Sequence, residues 1–388
     1  MAISQPVQFG CCCLLICIIF YILLSFSYSS FPSSFYRPPR QPILIFAATK
    51  FFSKRVTSEQ FLASCTSSKE WCSISDNLTD IQRADAIVFH NRNFNINHTI
   101  RFRERSTDIP YVLWGRESPS NDHFRKEEDF INWTMTYRRD ADIWYPYERM
   151  VRRKNSSLIS RRSWTSKNES LPPSTWLSSN CKTANGRASI VAGMEQQGLE
   201  VLKCADDDGC RVTIGSRWPH VKTPENRVDK WGRCGRAPPN CGSNHNYWDN
   251  CTVELIKQYK FYLAFENSNC VDYVTEKFFD TMRIREAVPI LLSSMFIALS
   301  DYSSISEAVR EINRIANDKE AYLEYHKWRE EYEIIAEDND EEGFCALCKK
   351  LAERSHFSPM ERFASRKSYK SVQSWHADGV CDNAIQFF

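Results

Sequence analysis

The chain is 388 residues long, enough for about two domains, and its formal net charge of +2 gives no case for a nucleic-acid partner. Aromatic residues make up 13% of it, which suits sugar recognition as well as a large core, and its 12 glycines speak against a Gly-rich phosphate loop. The 16 cysteines and six N-x-S/T sequons (Asn77, Asn97, Asn132, Asn155, Asn168, Asn250) together point to an oxidising lumen.

Phe9 to Tyr28 carries no charge over about 20 residues, long enough to cross a bilayer core at ~1.5 Å per residue. It reads as an uncleaved transmembrane signal-anchor behind a short tail, residues 1–8. A cleaved signal peptide competes, because Ser25–Ser30 is rich in small residues. No Lys or Arg precedes the run while Arg37 and Arg40 follow it, so the flanking charges do not themselves favour a cytoplasmic N-terminus. Cys11, Cys12, Cys13 and Cys17 lie in the run, where a membrane-facing or lipid-modified role fits better than bridging. Residues 29–42 are rich in Ser and Pro and read as a stem.

A first α/β domain is expected over 43–150. Its buried strands are Ile43–Ala47, Ala84–His90, Tyr111–Trp114 and Ile143–Tyr145. His90 and Arg92 follow a strand end, where a histidine is more often a structural hydrogen-bonder. Glu117 follows the third strand, where a carboxylate facing a cleft could take a proton from an attacking hydroxyl, but the residues alone favour a surface Glu beside a Pro turn. Arg138, Arg139, Asp140 and Asp142 read as an ion network holding the domain together rather than a metal or phosphate site. Residues 151–175 hold basic residues, two sequons and Pro172-Pro173 with no apolar period, and so read as the interdomain linker.

The second domain is expected over 176–350, opening on a strand at Trp176–Ser179. A polar loop then enters a helix, Ala188–Gln197, and Arg187 at its start is a forked donor suited to a diphosphate. Leu199–Leu202 reads as the next strand. Asp206-Asp207-Asp208 tempts a metal reading, which we set aside. The most informative stretch is YKFYLAFENSNCVDYVTEKFF, Tyr259–Phe279. Phe261–Phe265 reads as a buried strand, stopped by Glu266-Asn267-Ser268-Asn269, with Thr275 capping a helix and Val288–Leu292 forming the next strand. In such a βαβ unit the loop lies at the carboxyl end of the sheet, where nucleotides bind. Asn267, Tyr273, Glu276 and Lys277 can bond a sugar, hold a base or ribose, and neutralise a phosphate. An ordinary α/β turn with solvated Glu and Lys is the bland alternative. Ile305–Trp328 reads as helical. Cys345 and Cys348 form a CxxC with no companion metal-ligand pair, which favours disulfide halves. Residues 351–388 form a tail expected to pack on the first domain.

FYLAFENS, DYVTEKFF and AVPILL together resemble the signature of the Golgi alpha-1,3-fucosyltransferases. The ESP tripeptide at Glu117, the TYRRDADIWYPY segment, SNC with GR at Arg187, GRCG and the CxxC are similar to that family's pattern as well. The resemblance implies a GT-B-like fold, two Rossmann-like domains facing a cleft, with GDP-fucose as donor substrate and no tightly bound cofactor. It implies inverting transfer to an N-acetylglucosamine-containing glycan or glycoprotein, with Glu117 as base and Arg187, Asn267, Tyr273, Glu276 and Lys277 lining the donor site. A divalent cation is expected at most to stimulate. The expected place is the Golgi membrane, single-pass type II, with the catalytic part lumenal. Three features depart from the pattern: Arg116 where many members carry an aromatic, the insert 204–229, and a shortened loop after Leu292. They motivate an alternative, a lumenal relative that binds nucleotide or glycan without turnover.

Overall fold

The structure, a computed structural model, describes residues 42–95, 108–122, 129–155, 162–197, 200–201, 227–235, 237–238, 241, 249–292, 296–335 and 342–382. The expected membrane span, the sequon at Asn97 and the run Asp206–Asp208 lie outside them. Among the described residues no helix is long and apolar enough to cross a membrane.

Two parallel sheets form the two lobes. The first is built from Ile43–Ala47 (β1), Cys72–Ser75 (β2), Ala86–His90 (β3), Tyr111–Gly115 (β4), Trp133–Thr136 (β5) and Ile143–Trp144 (β6), in the order β2-β1-β3-β4-β5-β6. Arg149–Arg152 (β7) leaves this lobe. The second sheet comprises Ser174–Leu177 (β8), Glu200–Val201 (β9), Arg227–Trp231 (β10), Phe261–Leu263 (β11), Val288–Leu291 (β12) and Ile297–Ala298 (β13), in the order β13-β12-β11-β8-β10-β9. A parallel sheet is covered on both faces, so its strands read as unbroken apolar runs. β3, β4 and β12 are buried at every position. β2 and β5 were not expected from the sequence; CSIS is short and half polar, and WTMT carries two threonines.

The segment expected as a free linker is partly structured. Tyr332–Ile335 (β14) pairs antiparallel with β7. Arg153, in the segment read as linker, donates from Nε to the carbonyls of Arg329 (3.0 Å) and Tyr332 (2.9 Å) and from Nη1 to Glu333 (3.1 Å). Lys167 is buried and donates to the carbonyls of Lys257 and Glu286 at 2.9 and 2.8 Å.

The expected boundary at residue 350 falls inside the helix Gly343–Ser355, and that helix packs in the first lobe. Phe344, Leu347 and Leu351 enter the core made by Ile45, Val88, Val112 and Trp114. The CxxC spacing puts both sulfurs on one face of this helix, but each pairs elsewhere, Cys345 with Cys65 and Cys348 with Cys72. The remaining described pairs are Cys181–Cys234, Cys241–Cys251 and Cys270–Cys381. Of the sequon asparagines, Asn77, Asn155, Asn168 and Asn250 are exposed. Asn132 is not: it is buried, accepts from the Tyr111 amide (2.9 Å) and donates to the Lys367 carbonyl (2.8 Å), so the folded chain cannot carry a glycan there.

Candidate active site

In the second sheet the strand order switches side between the parallel neighbours β8 and β11, and open α/β sheets bind ligands at the carboxyl ends of strands at such a point. The loops leaving those two strands carry Ser178–Arg187 and Glu266–Thr275. From the other side the loop after β4 brings Glu117. The two lobes touch here. Glu117 Oε1 accepts from the Tyr273 hydroxyl (2.7 Å), Asn267 Nδ2 (3.3 Å) and the Ser118 amide (3.0 Å). Among the described residues its Oε2 takes no hydrogen bond. Ser118 and Ser268 bond through their hydroxyls, and Asn121 Nδ2 donates to Ser118 Oγ at 3.0 Å.

Tyr273 is 5% exposed, and burial, with the nearby Tyr147 and Glu117, pushes its phenol well above the ordinary value. It keeps its proton and donates to the carboxylate. Its ring rests on Tyr137, centroids 5.0 Å apart. Arg116 lies over the rings of Tyr145 (4.7 Å) and Tyr147 (4.9 Å) and donates to the Pro146 carbonyl at 3.3 Å.

The remaining expected residues form a buried charge cluster. Thr275 caps the helix Glu276–Arg283, its hydroxyl accepting from the Lys277 amide at 3.3 Å. Lys277 Nζ lies 3.3 Å from Glu266 and 2.9 Å from Glu276, and donates to Thr275 Oγ1 at 3.0 Å. Burial disfavours the Lys277 charge, but the two carboxylates outweigh it and hold the ammonium above its ordinary range. Burial pushes Glu266 up, against the Lys277 charge, while Glu276 ends below its usual range because Lys277 overcomes its burial. Glu266 was read from sequence only as a strand stop. It accepts from both the amide and hydroxyl of Thr275 at 2.8 Å, so it anchors the helix start.

Arg187 stands at its helix start but is 3% exposed. Its Nη1 donates to the Phe265 carbonyl (2.7 Å), and Nη2 donates to Ser178 Oγ (2.7 Å) and the Asn180 carbonyl (2.9 Å). It ties the β8 loop to the β11 loop, while among the described residues its buried Nε makes no hydrogen bond. Asn185 makes a second tie, donating to the Glu266 carbonyl and Asn269 Oδ1 at 3.0 Å each. The structure thus joins Glu117, Asn267 and Tyr273 directly, and sets Glu276 and Lys277 with Arg187 around Glu266.

Beside Tyr273 a cavity of about 620 Å³ opens between the lobes, lined by Tyr137, Trp144, Phe278, Phe279 and Tyr332 with Arg139, Glu148 and Asp272 among its polar groups. Arg283 bridges the lobes by bonding Glu148 (3.0 Å) and Asp280 (2.8 Å). His90 is buried, and its Nδ1 shares a hydrogen bond with Asn93 Oδ1 at 2.8 Å, a structural role. No group of three or more metal-ligating side chains occurs among the described residues.

Comparison with known proteins bears on this arrangement. Residues 39–148 match the model for the fucosyltransferase N-terminal domain, and residues 221–375 match that for the C-terminal domain of glycosyltransferase family 10 (fucosyltransferase). The chain is 35% identical to alpha-(1,3)-fucosyltransferase fut-6 of Caenorhabditis elegans over 88% of its own length and 82% of that protein's. It is 31% identical to fut-5 of the same organism, over 88% and 85%. A crystal structure of an alpha1,3-fucosyltransferase with GDP-fucose is similar at a TM-score of 0.46 and 14% identity, over 84% of this chain and 94% of that one. With both its halves matched by the family's models and a relative this near, the chain belongs to glycosyltransferase family 10, the fucosyltransferases.

Proposed function

We propose that this glycosyltransferase moves fucose from GDP-β-L-fucose to an N-acetylglucosamine-containing glycan, forming an alpha-1,3 bond with inversion on a GT-B-like scaffold. The observation that carries the reading is the convergence on Glu117 Oε1 of Asn267 and Tyr273 from the opposite lobe. That contact leaves Oε2 for an acceptor hydroxyl. As the hydroxyl oxygen bonds to the anomeric carbon from one face, its proton passes to Glu117 and the bond to the diphosphate breaks on the other face, releasing GDP. Attack opposite the leaving group converts the β donor into an α product.

Lys277 and the capped helix start supply positive potential for the charge that develops on GDP. A diphosphate reaching Lys277 takes the place of one of its present acceptors. Glu276, ionised beside Lys277, then suits donor hydroxyls. The aromatic cavity beside Tyr273 is the place for the acceptor sugar. The uncharged N-terminal run and the exposed sequons support a single-pass Golgi anchor with these lobes in the lumen.

The test is a thermal-shift panel of nucleotide sugars followed by transfer to a defined glycan set. Stabilisation by GDP-fucose with transfer to an N-acetylglucosamine hydroxyl is expected. Stabilisation by UDP but not GDP compounds sinks the donor, and GDP binding without turnover favours the impaired relative.

A further inference from the structure

The C-terminal segment touches both loops that meet at Glu117, and it does so with unrelated kinds of bond. On the first lobe, Val372 is fully buried, and Tyr369 donates from its hydroxyl to Asp142 Oδ2 at 2.8 Å. Trp375 lies under the Arg138 guanidinium, 4.4 Å from its ring, and donates from Nε1 to Asp140 at 3.2 Å. The Arg-Arg-Asp-Ala-Asp motif is therefore a mooring for the tail.

One short helix of this tail, Val372–Ala377, delivers His376 to the end of the Glu117 loop. His376 is 1% exposed, with Nε2 3.4 Å from Asp122 Oδ2. Asn91 Nδ2 donates to the same oxygen. Asn91 fits there because residue 115 lacks a side chain; a Cβ on Gly115 would collide with its amide group. Beyond this helix the tail crosses to the other lobe, where Cys381 is disulfide-bonded to Cys270. Around that bond the Val271 amide donates to the Val380 carbonyl and the Asp382 amide to the Asn269 carbonyl, each at 2.9 Å.

We propose that Tyr369–Cys381 is a strap across the cleft that fixes the spacing of the Glu117 loop and the Asn267–Tyr273 loop. His376 is the positioning residue at one end and the Cys270–Cys381 bond is the tie at the other. The inference rests on reading those loops as the reacting pair. Without the strap the loops still meet through Glu117 and through Ser118 and Ser268, and Asn91 and Asn185 still hold one end of each, but each loses its tie to the tail, so the base samples a wider range of positions. Loose positioning of this kind costs rate more than donor affinity.

Three variants of the full chain test it: His376→Ala, His376→Gln, whose amide can still donate to Asp122, and Cys270→Ser with Cys381→Ser. Hydrogen exchange without substrate is the first readout. His376→Ala should speed exchange about tenfold in residues 117–122, and the serine pair should do so in 266–273, with β8 and β12 protected as before. In turnover, His376→Ala should lower kcat about tenfold with the KM for GDP-fucose within about twofold, and His376→Gln should recover most of it. Wild-type exchange in both loops overturns the proposal, as does a glutamine variant no better than alanine. A wild-type chain that transfers no fucose defeats the functional reading alone, because the exchange measurement still decides the strap.

Discussion

On the first-lobe side of the cleft, Glu117 is held through Oε1 by neutral donors, a phenol, an amide side chain and a backbone amide, and among the described residues Oε2 takes no hydrogen bond. On the second-lobe side, Lys277 is packed between two carboxylates and a hydroxyl. A group held by neutral donors can be altered without leaving a buried charge unmatched. A cation between two acids cannot, because its removal leaves both acids uncompensated. Chemistry and folding are therefore separable at Glu117 and entangled at Lys277.

The sharpest test of that separation is Glu117→Gln. It should lower kcat by ~10²–10⁴, the usual contribution of a general base, while GDP titration and the thermal midpoint stay near wild type. Loss of GDP binding in that variant would show that the two sides are not independent. Lys277→Ala should do the reverse, costing about 3–5 kcal/mol of stability in chemical denaturation. It should also weaken GDP more than guanosine, and equal weakening of both removes the phosphate role. Tyr273→Phe comes next. It deletes one hydrogen bond to a charged acceptor, so it should lower kcat/KM roughly tenfold or more and cost up to ~1.5–3 kcal/mol of stability, less than Lys277→Ala.

The smallest effect is a pH slope from the interlobe pair. Burial pushes the Glu148 carboxyl from 4.5 up to about 7, with Arg283 opposing and Asp280 adding to the shift. The folded state then holds this proton more tightly than the unfolded one. Its contribution to stability is undiminished below pH 4.5, declines as pH rises through about 7, and is level above. Urea midpoints across that window should fall with pH, and Glu148→Gln should flatten the slope. A slope that survives the substitution belongs to another group.

What the sequence disclosed follows from the same physics. β1, β3, β4, β11 and β12 were legible because strands buried on both faces carry no polar break. The Thr275 cap was legible because capping is local chemistry written in neighbouring residues. Glu117 and the loop from Asn267 to Lys277 were found as candidates, but their meeting was not visible, because 150 residues separate Glu117 from Asn267. Distance in the chain also hid the partners of Arg153, which lies in the segment read as linker and bonds residues 176 and 179 positions away. The Asn132 sequon is a motif without burial information, and only the fold shows its amide spent on Tyr111 and Lys367. The boundary at residue 350 failed because periodicity names a helix without naming the core it fills.

The helix Gly343–Ser355 has a bearing on biosynthesis. Its cysteines close bridges spanning 280 and 276 residues, and its side chains complete a core begun at Ile43. As the chain is made from its N-terminus, the opening sheet must wait, unfinished, while the intervening lobe is synthesised and folds. The first lobe can therefore be completed, in core and in disulfides, only once the stretch from Gly343 onward has been made.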